Sequence, residues 1–338
     1  MGKFILTGVT YDNDEEGDGH SPLWVAAGGG YVAYSTDGTN WTEVAINGIS
    51  GLKDLTFGKN AEDVDTWYGC SHVDSNSIAY TTDVTDADSW TAVNPPGSGG
   101  GYAIEYSANG TIILGREHEN YALRRSTDFG VTWTNSTVVN PPGNNPKVTN
   151  SLATNGSGLW VAGFGNLGVI MKSYDDGVTW YKSADLGSDN HIGLEYANGV
   201  WVASEAGNTI NICTNISEDT NLDTWTQIDP PGTSGPDSIT YVSGDTWIVS
   251  GGRRSVWRST DNAATWTQVT SLPNPSGSEI STDNNAYSLA SDGTNVVATG
   301  RNGHINISTD LGDTWTLVYT MSTGQHMNTV EYNKVKPF

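Results

Sequence analysis

The residues of this 338-residue chain best suited to chemistry are its arginines, its repeated aspartates and a few acid–tyrosine pairs. Four of the seven arginines, Arg116, Arg253, Arg254 and Arg301, fall in segments between candidate strands. His72, His118 and Glu119 occupy matching segments. Guanidinium groups gathered in loops suit bidentate capture of a carboxylate, so these seven residues form the candidate binding set. The competing reading is that the arginines neutralise acidic neighbours. Glu105-Tyr106, Glu195-Tyr196 and Glu331-Tyr332 could pair a Tyr nucleophile with a Glu partner, but they recur at one place in a repeat, which explains them without catalysis. Asp12, Asp14 and Glu16 match the start of a calcium loop that lacks its late bidentate Glu. No Ser-His-Asp set, phosphate-cradling glycine loop or zinc spacing stands out, and no catalytic residue or metal ligand set is assigned.

The elements that must position these residues come from a repeat. Ser126-Thr127-Asp128-Phe129-Gly130-Val131-Thr132-Trp133 has close copies at Ser173–Trp180 and Ser308–Trp315, and a fourth at Ser259–Trp266 with Ala in place of Gly. Ser35–Trp41 is one residue shorter, Thr81–Trp90 is longer, and Cys213–Trp225 is the most degenerate. The closing residues Trp41, Trp90, Trp133, Trp180, Trp225, Trp266 and Trp315 stand 41 to 49 residues apart. That period fits one four-stranded blade of a propeller. Repeat six divides into strands at Ile239–Tyr241, Trp247–Val249, Val256–Arg258 and Trp266–Val269, alternating apolar and polar. The expected fold is all-β: one seven-bladed propeller over 1–338, in four-stranded antiparallel blades.

Ring closure is legible at the ends. Val330-Glu331-Tyr332 lies where a first strand belongs, so residues 327–338 are expected to enter blade one and pair the two termini; Val9-Thr10-Tyr11 competes for that place. The repeated Asp37, Asp83, Asp128, Asp175, Asp261 and Asp310 are expected to be structural. Each would close a turn by accepting backbone N–H groups, with Gly at a positive-φ position.

Composition narrows the partners. The net charge of −23 repels phosphate backbones and anionic membranes, which disfavours nucleic-acid binding and membrane association. Cys70 and Cys213 fall in repeats far apart around a ring, so no disulfide is expected. Neither a signal h-region nor a transmembrane stretch is present in the sequence, which points to a virion or the cytoplasm.

The motif S-x-D-x-G-x-T-W resembles the Asp box, or BNR repeat, of sialidases and related propellers, and the resemblance covers nearly the whole chain. Segments such as Gly251–Asp261 look most like the photosystem II assembly-factor propellers, and such repeats also occur in phage particle proteins. The resemblance implies a binding face opposite the Asp-box turns. It implies three readings: a virion-associated structural or recognition protein of a phage, an assembly-factor-like scaffold, and a sialidase-like hydrolase or glycan-binding lectin. The Arg-Ile-Pro signature of sialidases is missing, sialidases have six blades, and a two-propeller xyloglucan hydrolase needs more chain. The leading expectation is the first: a non-enzymatic, virion-associated module of a phage that holds a protein partner in an assembly, or a cell-surface glycan, with no cofactor; the assembly-factor-like scaffold and the sialidase-like hydrolase or lectin are the alternatives.

Overall fold

The computed structural model describes residues 23–73, 77–97, 99–117, 123–139, 148–165, 168–187, 192–205, 207–218, 222–232, 235–273 and 286–333. Short runs of β-branched and aromatic residues separated by Gly, Asn and Asp turns give, among the described residues, strands of two to eight residues and two short 3₁₀ turns. The strands form seven separate sheets; in all but blade one the first strand of the antiparallel meander is innermost. Blade six shows the plan: Pro236–Ser243, Thr246–Gly251, Val256–Ser259 and Thr267–Gln268 pair antiparallel in order. Its fourth strand begins after Trp266, whose ring instead packs into the core.

The ring closes as the sequence predicts. Thr329–Tyr332 pairs antiparallel with Trp24–Gly28, placing Val330 opposite Ala26 and Tyr332 opposite Trp24. The Trp24 and Tyr332 rings meet at 4.6 Å between centroids. The tail therefore supplies the innermost strand of blade one, while Val9–Tyr11 and residues 334–338 lie outside the described residues. A second latch ties blade seven to blade one further out. Glu43 accepts hydrogen bonds from Tyr319 Oη at 2.8 Å, Ser322 N at 2.6 Å and Ser322 Oγ at 2.7 Å.

Buried aliphatic and Trp side chains fill the spaces between sheets; Trp24, Trp160 and Trp247 recur at one second-strand position and are almost fully buried. Innermost strands have no ladder partner toward the axis, and several of their N–H groups are capped by the preceding blade. Asp54 accepts from Ile104 N at 3.0 Å, Thr56 from Tyr106 N at 3.2 Å, Glu195 from Tyr241 N at 3.2 Å and Ser238 from Leu289 N at 3.1 Å. Both cysteines are buried free thiols.

The repeated turns lie at one end of the ring. In blade three, Asp128 Oδ1 accepts from Thr132 N at 2.8 Å and from Ser126 Oγ at 2.8 Å, while Trp133 Nε1 donates to Gly130 O at 2.9 Å. The turn carries two consecutive left-handed residues, Phe129 (φ 58°) and Gly130 (φ 83°). Blade six holds the same shape with Ala263 at φ 67°, a conformation that costs an L residue about 1 kcal/mol. Blade five replaces this turn altogether. Asp223 in its long loop is buried against Lys172 of blade four at 2.8 Å, and it accepts from Ser217 N at 2.9 Å and Ser183 Oγ at 2.6 Å. Blade four also gains a fifth strand, because Thr137–Val138 of the preceding link lies parallel to Thr179–Asp185.

Candidate functional site

The innermost strands wall a cavity of about 590 Å³ to which all seven blades contribute. Near the end opposite the repeated turns, five of these strands carry the same irregularity. The register slips between Leu52 and Asp54, Gly101 and Ala103, Thr149 and Ser151, Pro236 and Ser238, and Ala286 and Ser288. A β-bulge bends its strand and re-aims the extra side chain. Four of the extra residues, Lys53, Tyr102, Asn150 and Asp237, line the cavity together with Arg301, His326 and Asn328. One backbone device thus delivers an ammonium, a phenol, an amide and a carboxyl to one mouth.

Charge is unevenly placed within this cavity. Asp54, Glu105, Glu195, Asp237 and Glu331 line it, against the cations Lys53 and Arg301. Several carboxylates already serve the fold. Asp54 accepts from Ile104 N, from Leu55 N at 3.0 Å and from Thr329 Oγ1 at 3.3 Å, and Glu195 caps Tyr241 N. Asp237 Oδ2 is shut off from solvent with no hydrogen-bond partner among the described residues. Burial pushes its carboxyl up to about 7. Lys53 Nζ lies 5.7 Å from the Tyr102 ring centroid, within cation–π range. The Tyr102 phenol is raised by burial, then by the charge and hydrogen bond of Glu117. His326 Nδ1 accepts from Asn302 N at 3.0 Å.

The residues expected from the sequence separate into different roles. Arg116 is fully buried and is corrected from surface candidate to internal brace: Nε donates to Gly99 O at 2.8 Å and Nη1 to Pro96 O at 3.0 Å, with Nη2 also on Gly99 O. Five donors satisfy the carbonyls of a proline–glycine link that has few ladder bonds of its own. Arg254 is likewise buried, with Nη1 donating to Pro273 O at 3.3 Å, and desolvation lowers its guanidinium pKa. Arg253 is exposed on a left-handed residue (φ 57°), and Arg301 is half-buried on the cavity wall. His72 is exposed, with Nδ1 at 2.8 Å from Gly51 O. His118, Glu119 and the Asp12, Asp14 and Glu16 loop lie outside the described residues. The turn aspartates Asp37, Asp83, Asp128, Asp175, Asp261 and Asp310 sit at the other end, each accepting backbone N–H bonds such as Thr85 N to Asp83 at 2.9 Å and Thr314 N to Asp310 at 2.9 Å.

Sequence reasoning did not find Lys53, Tyr102, Asn150, Asp237 or His326. The available signal was negative: two positions before the Leu55, Ile104, Leu152 and Ile239 series, the repeat loses its chemical similarity.

No protein-family model matches the chain, and no curated protein matches it. Solved structures do. YCF48 bound to D1 peptide aligns with a TM-score of 0.58 and 14% identity, over 89% of this chain and 85% of that one. A catalytically inactive virginiamycin B lyase from Staphylococcus aureus aligns with a TM-score of 0.64 and 14% identity, over 94% and 96% of the two chains. The GH74 xyloglucanase from Xanthomonas campestris aligns with a TM-score of 0.62 and 15% identity, over 98% of this chain but 55% of that enzyme. Such likenesses establish a seven-bladed propeller; chemistry has to be read from the site itself.

Proposed function

We propose that this chain is a non-enzymatic binding propeller of the assembly-factor kind, holding an extended segment of a protein partner at its channel mouth. The observation that carries this reading is the ring of bulged residues, which repeats in backbone and differs in side chain. Repeated core positions keep their residue type because they do the same packing work in each blade. Lys53, Tyr102, Asn150 and Asp237 share a position and no chemistry, as a surface matched to one asymmetric ligand requires. Lys53 and Arg301 suit a carboxylate, Asp237 a cation and Tyr102 an apolar or cationic side chain, while the Asn150 amide matches a peptide backbone. The similarity to YCF48, solved with a bound peptide, supports a peptide ligand. In the same reading the repeated aspartates are structural, and the exposed Arg253 and His72 extend the contact surface. None of the three similar structures named above supports a virion role, and a cell-surface glycan rests on the resemblance of the repeat to sialidases alone.

The test is selection of displayed random peptides on the immobilised chain. Enriched peptides that compete with one another and weaken about tenfold or more in Lys53→Ala and Arg301→Ala variants support the reading. Absence of enrichment, or binding indifferent to both variants, contradicts it. One observation favours a second reading: a carboxyl raised to about 7 by burial, in a cavity that other carboxylates also line, suits a glycosidase acid. Turnover of a fluorogenic sialoside or xyloglucan oligosaccharide, lost in Asp237→Asn, would establish that reading instead.

A further inference from the structure

The large hydrophobic side chains exposed among the described residues are Val64, Val131, Val178 and Leu222, at 45%, 65%, 46% and 62% of full exposure. Their positions are not scattered. Val64 follows the first strand of blade two, and the other three sit between the third and fourth strands of blades three, four and five. In an up-and-down blade both kinds of loop lie at the same end, here the end away from the channel mouth. All four therefore occupy one end of four consecutive blades. Val131 and Val178 are equivalent turn residues, and the same place holds Ala264 in blade six and Asp313 in blade seven. The fold does not require an aliphatic residue there.

The three turns are also tied together. Arg125 of blade three bonds Asp176 beside Val178, with Nη2 to Oδ2 at 2.9 Å, and Thr111 Oγ1 reaches the same carboxylate at 2.5 Å. Thr137 N donates to the carbonyl of Val178 itself at 2.8 Å. Leu222 immediately precedes Asp223, which is held by its buried pairing with Lys172, while Leu222 itself is exposed. Exposed apolar groups on a braced surface lose little entropy on docking. The surroundings are acidic: Glu62, Asp63, Asp175 and Glu218 are exposed, while the cations at this end are internally paired, Lys59 with Asp65, Arg125 with Asp176 and Lys172 with Asp223. A second copy of a chain carrying −23 would meet like charge.

We propose that the turn end of blades two to five is a second docking surface, for a protein partner that presents apolar side chains flanked by lysine or arginine. It is independent of the channel-mouth reading. The experiment uses two synthetic amphipathic peptides of equal length, one of leucine and lysine and one of leucine and glutamate. Fluorescence anisotropy follows their binding to the full chain and to a Val131→Ser/Val178→Ser/Leu222→Ser variant, which keeps every charge. The leucine–lysine peptide is expected to bind and to weaken about tenfold or more in the triple variant. Arg301→Ala, at the other end, should leave that binding unchanged. Equal binding by wild type and triple variant would reduce the surface to charge alone and overturn the proposal. Failure of the wild type to bind, or equal binding of the leucine–glutamate peptide, does the same. A wild-type dimer in sedimentation that the triple variant lacks would assign the surface to a second copy, also overturning it. Should the triple variant fold poorly, Val131→Ser alone, on a turn held by Asp128, is expected to show a smaller weakening of the same sign.

Discussion

At the turn end, Asp128, Asp175, Asp261 and Asp310 make the same bonds in four blades, to a Ser hydroxyl and to a Thr N–H four residues on. At the channel mouth, one repeated bulge presents Lys53, Tyr102, Asn150 and Asp237. Both ends repeat their backbone, yet only one repeats its chemistry. The difference separates what holds the ring from what the ring displays. Blade five sharpens the point: where its turn sequence degenerates, a buried ion pair takes over the same closing task.

The largest expected effect tests that replacement. Lys172→Met leaves Asp223 buried without its partner and should cost about 3–5 kcal/mol in urea unfolding. Replacing both partners, Lys172→Met with Asp223→Leu, should recover much of the loss. Equal stability of Lys172→Met and wild type would break the claim that blade five depends on the pair.

At the mouth the sign reverses. The Asp237 carboxyl has a folded pKa of about 7, above its ordinary 3.8. Between those values the native chain binds the extra proton, so this group's contribution to stability falls as pH rises through that window. Asp237→Asn should therefore stabilise the protein by about 1–3 kcal/mol at pH 8, with the gain vanishing near pH 4. A display residue whose removal strengthens the fold is what the comparison requires; a destabilised Asp237→Asn at pH 8 would contradict it.

Removal of one turn carboxylate, Asp128→Ala, should cost about 1–2 kcal/mol and leave ligand binding untouched. Burial alone would raise this group, but hydrogen bonds from Thr132 and Ser126 outweigh it and hold it below its ordinary value. Its folded pKa is depressed, so its stabilisation is present above about pH 4 and disappears as pH falls through the folded value. The smallest effect belongs to the outer latch. Glu43→Gln keeps the shape of the acceptor and should lower stability by about 1 kcal/mol, visible as earlier opening of the seam in hydrogen exchange at Ser322.

The fold was legible because its signals are local and recur: the turn motif, the spacing of Trp41 to Trp315 and the first-strand pattern that identified Val330–Tyr332. The site was less so. Arg116 and Arg254 stand out in the sequence as scarce cations in loops, but Arg116 turns inward to the carbonyls of a proline–glycine link and Arg254 to that of Pro273. Arg301 lies on the cavity wall. The bulged residues escaped notice because a register slip depends on how two strands pair, which no single strand's sequence states. The exchange of the blade-five turn for Lys172 and Asp223 was hidden for the same reason, since the partners stand 51 residues apart.

The channel mouth is tested most directly by exchanging its chemistry while keeping its backbone. Peptides selected on the wild type should contain an acidic group that reads Lys53 and a basic group that reads Asp237. Selection on a Lys53→Glu variant and on an Asp237→Lys variant, with titration calorimetry of the enriched peptides, should invert the corresponding charge preference in each case. Asp128→Ala should bind the wild-type peptides unchanged. If the variants select the same peptides with the same affinity as the wild type, the bulged ring is not what this propeller uses to recognise its partner.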